Sequence, residues 1–107
     1  MEPMNLQEIL REFRSGLERL YGPRLANVVL FGSRARHQER PDSDIDLLLV
    51  LRGPVDPHEE LHRVSPFKSA LCLKYDVVIS CVYTSEEDFG SEQSPLLLNV
   101  RREGVPV

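Results

Sequence analysis

The chain is poor in the features that define several large classes of protein. Among its 107 residues there is no tryptophan, and its two cysteines, Cys72 and Cys81, have neither metal-site nor disulfide-framework spacing. No apolar run approaches the length that crosses a membrane, and Met1-Glu2-Pro3 does not begin a signal peptide. We therefore expect a cytoplasmic protein whose thiols are buried and reduced.

Positive charge is scarce as well. Thirteen Lys and Arg residues stand against 17 Asp and Glu residues, so the formal net charge is −4. A protein that holds a nucleic-acid backbone needs a basic surface, and direct nucleic-acid binding is therefore not expected. Hydrophobic residues make up 41% of the chain and charged residues 28%, which is ordinary for a globular protein. This composition and length predict a single domain over residues 1–107.

The pattern of apolar residues predicts an α/β (α+β) fold, a small sheet with helices packed on it. A helix with an apolar stripe from Leu6 to Leu20 is expected, capped by Asn5 and ended by Gly22-Pro23. Pro66 is expected to divide the segment after the second strand into two helices. The remaining expectations are strands at 25–31, at 45–51 and from Tyr75, helices at Pro57–Val64, Pro66–Leu73 and about Ser94–Arg102, and a turn at Thr84–Phe89.

Two acids open the second predicted strand. Side chains alternate across a strand, so Asp44 and Asp46 point to one face, with Cα atoms about 6.6 Å apart. Carboxylates at that separation can share two Mg²⁺ ions, each completed by substrate phosphates and water. Asp42 continues the spacing but lies in the loop, and an EF-hand is excluded because Leu47 stands where the turn needs glycine. A solvated acidic loop is the alternative interpretation.

A Gly-Ser pair ends the first predicted strand. Gly32 lets the backbone approach a ligand closely, and Ser33 can donate its hydroxyl and N–H to a phosphate. A short helical turn after Ser33 would direct free N–H groups at the same anion. Arg34 and Arg36 are available for phosphate charge, although arginines at a strand end often reach only solvent. We therefore predict a phosphate-binding turn at Gly32, Ser33, Arg34 and Arg36.

One short motif points to a different chemistry. His58-Glu59-Glu60-Leu61-His62 satisfies the His-Glu-x-x-His pattern of zinc proteases. A zinc protease also needs a third ligand, and no histidine follows His62. Glu59 is explained as the third residue of a helix capping box. We interpret both histidines as solvated and do not predict a protease.

Gly32-Ser33, ten residues and Asp44-x-Asp46 together resemble the signature of the polymerase β-like nucleotidyltransferases, most closely the minimal nucleotidyltransferases of bacteria and archaea. The resemblance spans most of the chain. His37 stands where the family's turn ends in glycine. The family resemblance implies nucleotidyl transfer with two Mg²⁺ ions, ATP as a substrate and a third carboxylate at Asp76. It assigns catalytic and metal-binding roles to Asp44, Asp46 and Asp76.

Asp76 also fits an argument from topology. It opens an apolar strand in Tyr75-Asp76-Val77-Val78, as Asp44 opens its own strand. If those two strands run parallel, all three acids gather at one sheet edge, and the residues between them suffice for a helical crossover. The Gly-Ser and Asp-x-Asp strands must then be antiparallel neighbours, which predicts a mixed sheet. The alternative is a strand-edge acid paired with Lys74 or Arg63.

The resemblance further implies a partner protein. Minimal nucleotidyltransferases act as antitoxins of HEPN-type RNase toxins encoded nearby, and we expect AMP transfer from ATP to a tyrosine hydroxyl of such a toxin. The pair would form a hetero-oligomer. Two alternatives stay open, namely nucleotidyl transfer to a small molecule such as an aminoglycoside, and a non-catalytic antitoxin that acts by binding.

Overall fold

The protein has a four-stranded sheet with helices against both faces. The computed structural model describes residues 6–32, 44–91 and 94–107. In chain order the elements are α1 (Leu6–Tyr21), a 3₁₀ turn (Gly22–Arg24), β1 (Leu25–Phe31), β2 (Ile45–Leu51), α2 (Pro57–Tyr75), β3 (Ile79–Ser85), α3 (Glu86–Ser91), α4 (Pro95–Glu103) and β4 (Val105–Pro106).

The sheet is mixed, as predicted. Its strand order is β3-β2-β1-β4. β1 runs antiparallel to β2 and β4, whereas β2 and β3 are parallel and are joined by the crossover helix α2. Both the antiparallel and the parallel neighbours were predicted from the positions of the acids and the Gly-Ser pair. No helix within the described ranges is long and apolar enough to cross a membrane.

Alternation along β2 divides the core into two layers. Leu47 and Leu49 are buried in a cluster with side chains of α1 and α2. Leu48 and Val50 are buried in a second cluster with Leu97 of α4. Both faces of this strand are covered, which explains why it reads as a nearly continuous apolar run. Asp46 shares its strand parity with Leu48 and Val50, so it lies on the face that carries α4.

α1 and α2 pack closely because a glycine makes room for an aromatic ring. A Cβ added at Gly16 would lie 2.0 Å from the Phe67 ring. Phe67 stacks on Phe13 with ring centroids 5.4 Å apart. This contact lies near the middle of α2 and holds that helix on the core.

The prediction of two helices separated at Pro66 is wrong, because α2 is one helix with Pro66 inside it. A proline in a helix interior costs about 3 kcal/mol or more. Val64 and Leu71 are buried on either side of it, and Phe67 packs against the same core. Burial of the two halves against one core outweighs that cost.

The C-terminal third differs in two places from expectation. Thr84–Phe89 is not a turn, since β3 continues to Ser85 and α3 follows at once. The Ser85 hydroxyl accepts a hydrogen bond from the Asp88 N–H at 3.0 Å, which caps the new helix. The short strand β4 was not predicted. The final helix was, and Ser94 caps it through the Leu97 N–H at 3.2 Å. Asn5 lies outside the described residues.

Candidate active site

The candidate site forms where β1 ends and β2 begins. The antiparallel register places Phe31, the last residue of β1, opposite Asp46. The parallel register places Ser80 of β3 on the other side of Asp46. Gly32 follows Phe31, so the Gly-Ser turn begins directly beside the Asp-x-Asp pair, as predicted. Ser80 was not predicted as a neighbour, because its position depends on the register between two separate strands.

Gly32 and Asp46 are in close contact. Gly32 has φ +78°, in the region that favours glycine. A Cβ added there would lie 2.4 Å from Asp46 Oδ2, closer than two such atoms can approach. Any side chain at position 32 would therefore displace the carboxylate. The glycine is needed here for two reasons, its backbone conformation and the space that it leaves.

The two acids repel each other. Partial burial raises the pKa of the Asp46 carboxyl, and the nearby charge of Asp44 raises it further. Asp46 is half-buried and Asp44 is exposed. A like-charged pair that is partly removed from water is unfavourable until a cation neutralises it. Two carboxylates supply oxygen ligands, which Mg²⁺ prefers, and this ion commonly takes its other ligands from substrate phosphates and water, so these residues fit that ion.

Asp76 does not open a strand, and that expectation is corrected. α2 continues to Tyr75, and Asp76 follows as its C-terminal cap with φ 54° and ψ 52°. β3 begins three residues later, at Ile79. Asp is one of the few non-glycine residues that tolerate this left-handed conformation, which explains the turn. Asp76 is exposed and lies at the end of the sheet where β2 and β3 begin, the end that also carries Asp44.

The cations proposed as alternative partners of Asp76 pair elsewhere. Lys74 Nζ lies 2.9 Å from Glu12, and Arg63 lies 3.0 Å from Glu59. In the described parts of the chain, no group of three or more His, Cys, Asp or Glu side chains is arranged to hold a metal ion. The structure thus brings Asp44 and Asp46 together but does not gather Asp76 with them. A role for Asp76 stays a prediction.

Ser33, Arg34 and Arg36 lie outside the described residues, as do Asp42 and His37. Their phosphate-binding roles therefore stay predictions. Within the described residues, the turn is represented by Gly32 alone.

The zinc-protease-like motif has a structural explanation. Glu59 pairs with Arg63 one helical turn away. Glu60 is 2% exposed and accepts a hydrogen bond from the Tyr21 hydroxyl at 2.7 Å. The rings of His58 and His62 contact each other edge to face, with centroids 4.6 Å apart. The hydrogen bond between Tyr21 and Glu60 joins α1 to α2, a buried polar contact that the sequence analysis did not predict.

Comparison with known proteins identifies the family. Residues 10–99 match the family model described as "Nucleotidyltransferase domain". The chain is also 38% identical over 89 residues to a Methanocaldococcus jannaschii protein named "Putative protein adenylyltransferase MJ0604", covering 83% of both chains. The chain therefore belongs to the nucleotidyltransferase-domain family and is a nucleotidyltransferase. This agrees with the family resemblance of its motif.

Solved structures share the fold. The chain is 28% identical to a "putative minimal nucleotidyltransferase", with TM-score 0.63 and full coverage of both chains. A chain of a toxin–antitoxin complex with AMP-PNP, an ATP analogue, is 23% identical, with TM-score 0.63, and is matched over 89% of this chain and 69% of that one. A Shewanella oneidensis complex of a tri-AMPylated HEPN toxin with an MNT antitoxin is 18% identical, with TM-score 0.50, over 90% and 69%.

Proposed function

We propose that this chain is a Mg²⁺-dependent protein adenylyltransferase that transfers AMP from ATP to a tyrosine hydroxyl of a HEPN-type toxin, for which it serves as antitoxin. The proposal rests on the close contact of Gly32 with the Asp46 carboxylate, beside Asp44, in a chain of the nucleotidyltransferase-domain family. The name of the archaeal relative supports a protein as acceptor. The toxin–antitoxin complexes of the same fold supply the kind of partner.

Each residue has a role in this proposal. The backbone at Gly32, with Ser33, Arg34 and Arg36, binds the β- and γ-phosphates. Asp44 and Asp46 would hold Mg²⁺, and the bound ion would supply charge neutralisation of the phosphates and a lower pKa for the attacking hydroxyl. Asp76 is the third carboxylate of the proposed set, and its role is to accept the hydroxyl proton.

The reaction exchanges a phosphoanhydride bond of ATP for a phosphate ester bond. The tyrosine oxygen attacks the α-phosphorus of ATP, forming the new O–P bond. The bond between the α-phosphorus and the bridging oxygen to the β-phosphorus breaks, and pyrophosphate leaves. The phenolic proton passes to the Asp76 carboxylate and then to solvent. No oxidant, reductant or further co-substrate is required.

The test is transfer of label from α-labelled ATP. The protein is incubated with Mg²⁺, labelled ATP and the HEPN-type protein encoded beside it. We expect label on the partner, removed by a tyrosine-to-phenylalanine change at the modified site. Asp44→Asn and Asp46→Asn should each lower the rate by at least about 10²-fold, the scale of one lost catalytic group.

A matched variant controls for loss of charge alone. Glu18→Gln removes an exposed acid of α1 that pairs with Arg14 one turn away, and this variant should label the partner at the wild-type rate. Asp76→Asn tests the third acid. Label on an aminoglycoside but not on the partner, or a tight complex that forms without any label, would contradict the proposal.

A further inference from the structure

The two edges of the sheet differ sharply. β4, at one edge, is two residues long and contains Pro106. β3, at the other edge, is seven residues long and pairs with β2 along its whole length without a register shift. In the part of the chain that the structure describes, no strand lies beyond β3. One edge is therefore short and blocked, and the other is long and regular.

The unpaired backbone groups of β3 can be assigned from the hydrogen-bond pattern. The Ile45 N–H donates to the Val78 carbonyl at 2.9 Å. In a parallel ladder, the strand residues that face the neighbour alternate with residues that face away. Ser80, Val82 and Thr84 thus face β2. Ile79, Cys81 and Tyr83 direct their N–H and C=O groups away from β2, and we call these groups the open edge. Ile79 and Tyr83 are only 3% and 8% exposed, so Cys81 is the most accessible of the three.

The open edge lacks the usual protection. Natural sheets block exposed edges with charged side chains, proline, bulges or short strands. Residues 79–85 read Ile-Ser-Cys-Val-Tyr-Thr-Ser, with no charge, proline or glycine. We propose that the open edge binds an extended segment of the acceptor protein as an added strand. This inference rests on the proposed function, since it presumes a protein acceptor.

The charged residues at the two ends of β3 indicate what kind of segment the open edge can bind. Asp76 precedes the strand, and the first turn of α3 carries Glu86, Glu87 and Asp88. A second copy of this chain, paired antiparallel about Val82, would bring the Asp76 end of each copy against the acidic turn of the other. Such pairing places like charges together at both ends. An uncharged segment with Lys or Arg at each end fits the edge better.

The open edge is continuous with the candidate active site. An added strand would lie about 4.8 Å from β3 and therefore about 9.6 Å from β2, which carries Asp46. Only a long side chain can place a hydroxyl across that gap, and tyrosine is the longest of the hydroxyl-bearing residues. Leu73 and Val78 flank Asp76 and are 84% and 57% exposed. They offer apolar contact for the ring where the segment meets the acids.

Hydrogen exchange tests the proposal directly. The probe is the HEPN-type protein encoded beside this chain, added with Mg²⁺ and AMP-PNP. We expect the amides of Cys81 and Tyr83, which face away from β2, to exchange more slowly in the complex than in the free protein. The amides of Val82 and Thr84 should be protected in both states. Unchanged exchange at Cys81 and Tyr83 in a formed complex would overturn the proposal.

A proline substitution supplies the kinetic test. Cys81→Pro removes an outward N–H that the sheet does not use, whereas Cys81→Ser keeps it. In Cys81→Pro the hydrogen bond from this N–H to the bound segment is lost, and a carbonyl of that segment is left unsatisfied. This loss should raise the KM for the acceptor protein about 10- to 100-fold in Cys81→Pro alone. The affinity for AMP-PNP should not change in either variant. Equal KM values in the two variants, both folded, would refute added-strand binding.

A surface variant decides the matter if Cys81→Pro does not fold. Glu87 is exposed on α3. Glu87→Lys should raise the KM for the acceptor more than Glu87→Gln does, and high salt should reduce the difference. No difference between the two Glu87 variants would contradict a segment with basic residues at its ends.

A wild-type protein that labels no partner refutes the proposed function instead. A wild-type dimer that Cys81→Pro dissociates would assign the edge to a second copy.

Discussion

At the scale of single residues, the site is built at the expense of stability. Asp46 is held partly out of water beside Asp44, and burial followed by that charge raises its pKa. In a metal-free protein this arrangement opposes folding once the carboxyl is ionised. A cation bound between the two acids would remove this penalty and would bind more tightly for that reason.

Asp46→Asn should therefore stabilise the metal-free protein. A raised folded-state pKa means that the unfolded chain releases its proton first as the pH rises. The penalty is absent below the unfolded pKa of about 3.9 and complete above the folded pKa. In EDTA we expect a higher Tm for Asp46→Asn than for wild type at about pH 7, and equal Tm values near pH 3.5. A lower Tm at neutral pH would contradict this.

Gly32 offers a second prediction, with a control within the chain. Gly32 and Gly53 both have positive φ, 78° and 83°, but a Cβ at Gly53 would meet nothing within 4 Å. Alanine in this conformation costs about 1–2 kcal/mol. Gly53→Ala should show that cost in urea unfolding and keep full transferase activity. Gly32→Ala should be less stable still and inactive, because its Cβ displaces Asp46. Equal effects would show that the carboxylate moves freely.

At the scale of elements, the correct predictions concern features that residues close together in the chain determine. The strands 25–31 and 45–51 were correct because a long apolar run leaves little choice of structure. The antiparallel pairing followed from requiring Gly32 near Asp46. The Gly-Ser and Asp-x-Asp motif identified the family for the same reason, since its chemistry fixes both spacing and residue type.

The errors share a different physical origin. Pro66 was expected to break α2, but packing of side chains on both sides of it decides the outcome. Asp76 was placed in a strand because the residues after it are apolar, whereas the helix before it continues to Tyr75. β4 depends on pairing with β1, far away in sequence. Each of these features depends on long-range contacts that no local pattern contains.

The contact of α1 with α2 depends on a buried carboxylate that can be tested. Glu60 accepts from Tyr21 at 2.7 Å and pairs with Arg24 at 3.1 Å. Tyr21→Phe removes one donor and should lower the free energy of unfolding by about 1.5–3 kcal/mol in urea titration. Glu59→Gln, an exposed neighbour paired with Arg63, should change it by no more than about 1 kcal/mol. Similar values for both would show that Arg24 and Arg63, which lies 3.6 Å from Glu60, satisfy this carboxylate without Tyr21.

At the scale of the whole molecule, charge decides which ligands can enter. The chain carries a net charge of −4, and two of its acids, Asp44 and Asp46, lie in the candidate site at one end of the sheet. A triphosphate is itself strongly anionic. We therefore expect binding of nucleotide at this end of the sheet to be coupled to binding of a divalent cation, whichever acceptor follows.

This coupling predicts that nucleotide raises the Tm only when a divalent cation is present. A ligand present at about 100 times its Kd stabilises the folded state by about 2.7 kcal/mol. For a chain of this size that raises the Tm by roughly 10–20 °C. We expect this rise with Mg²⁺ and AMP-PNP together, and little change with AMP-PNP in EDTA. Asp44→Asn should abolish the rise while Glu18→Gln retains it. An equal rise in EDTA would mean that nucleotide binds without a cation, and the acids would then need another explanation.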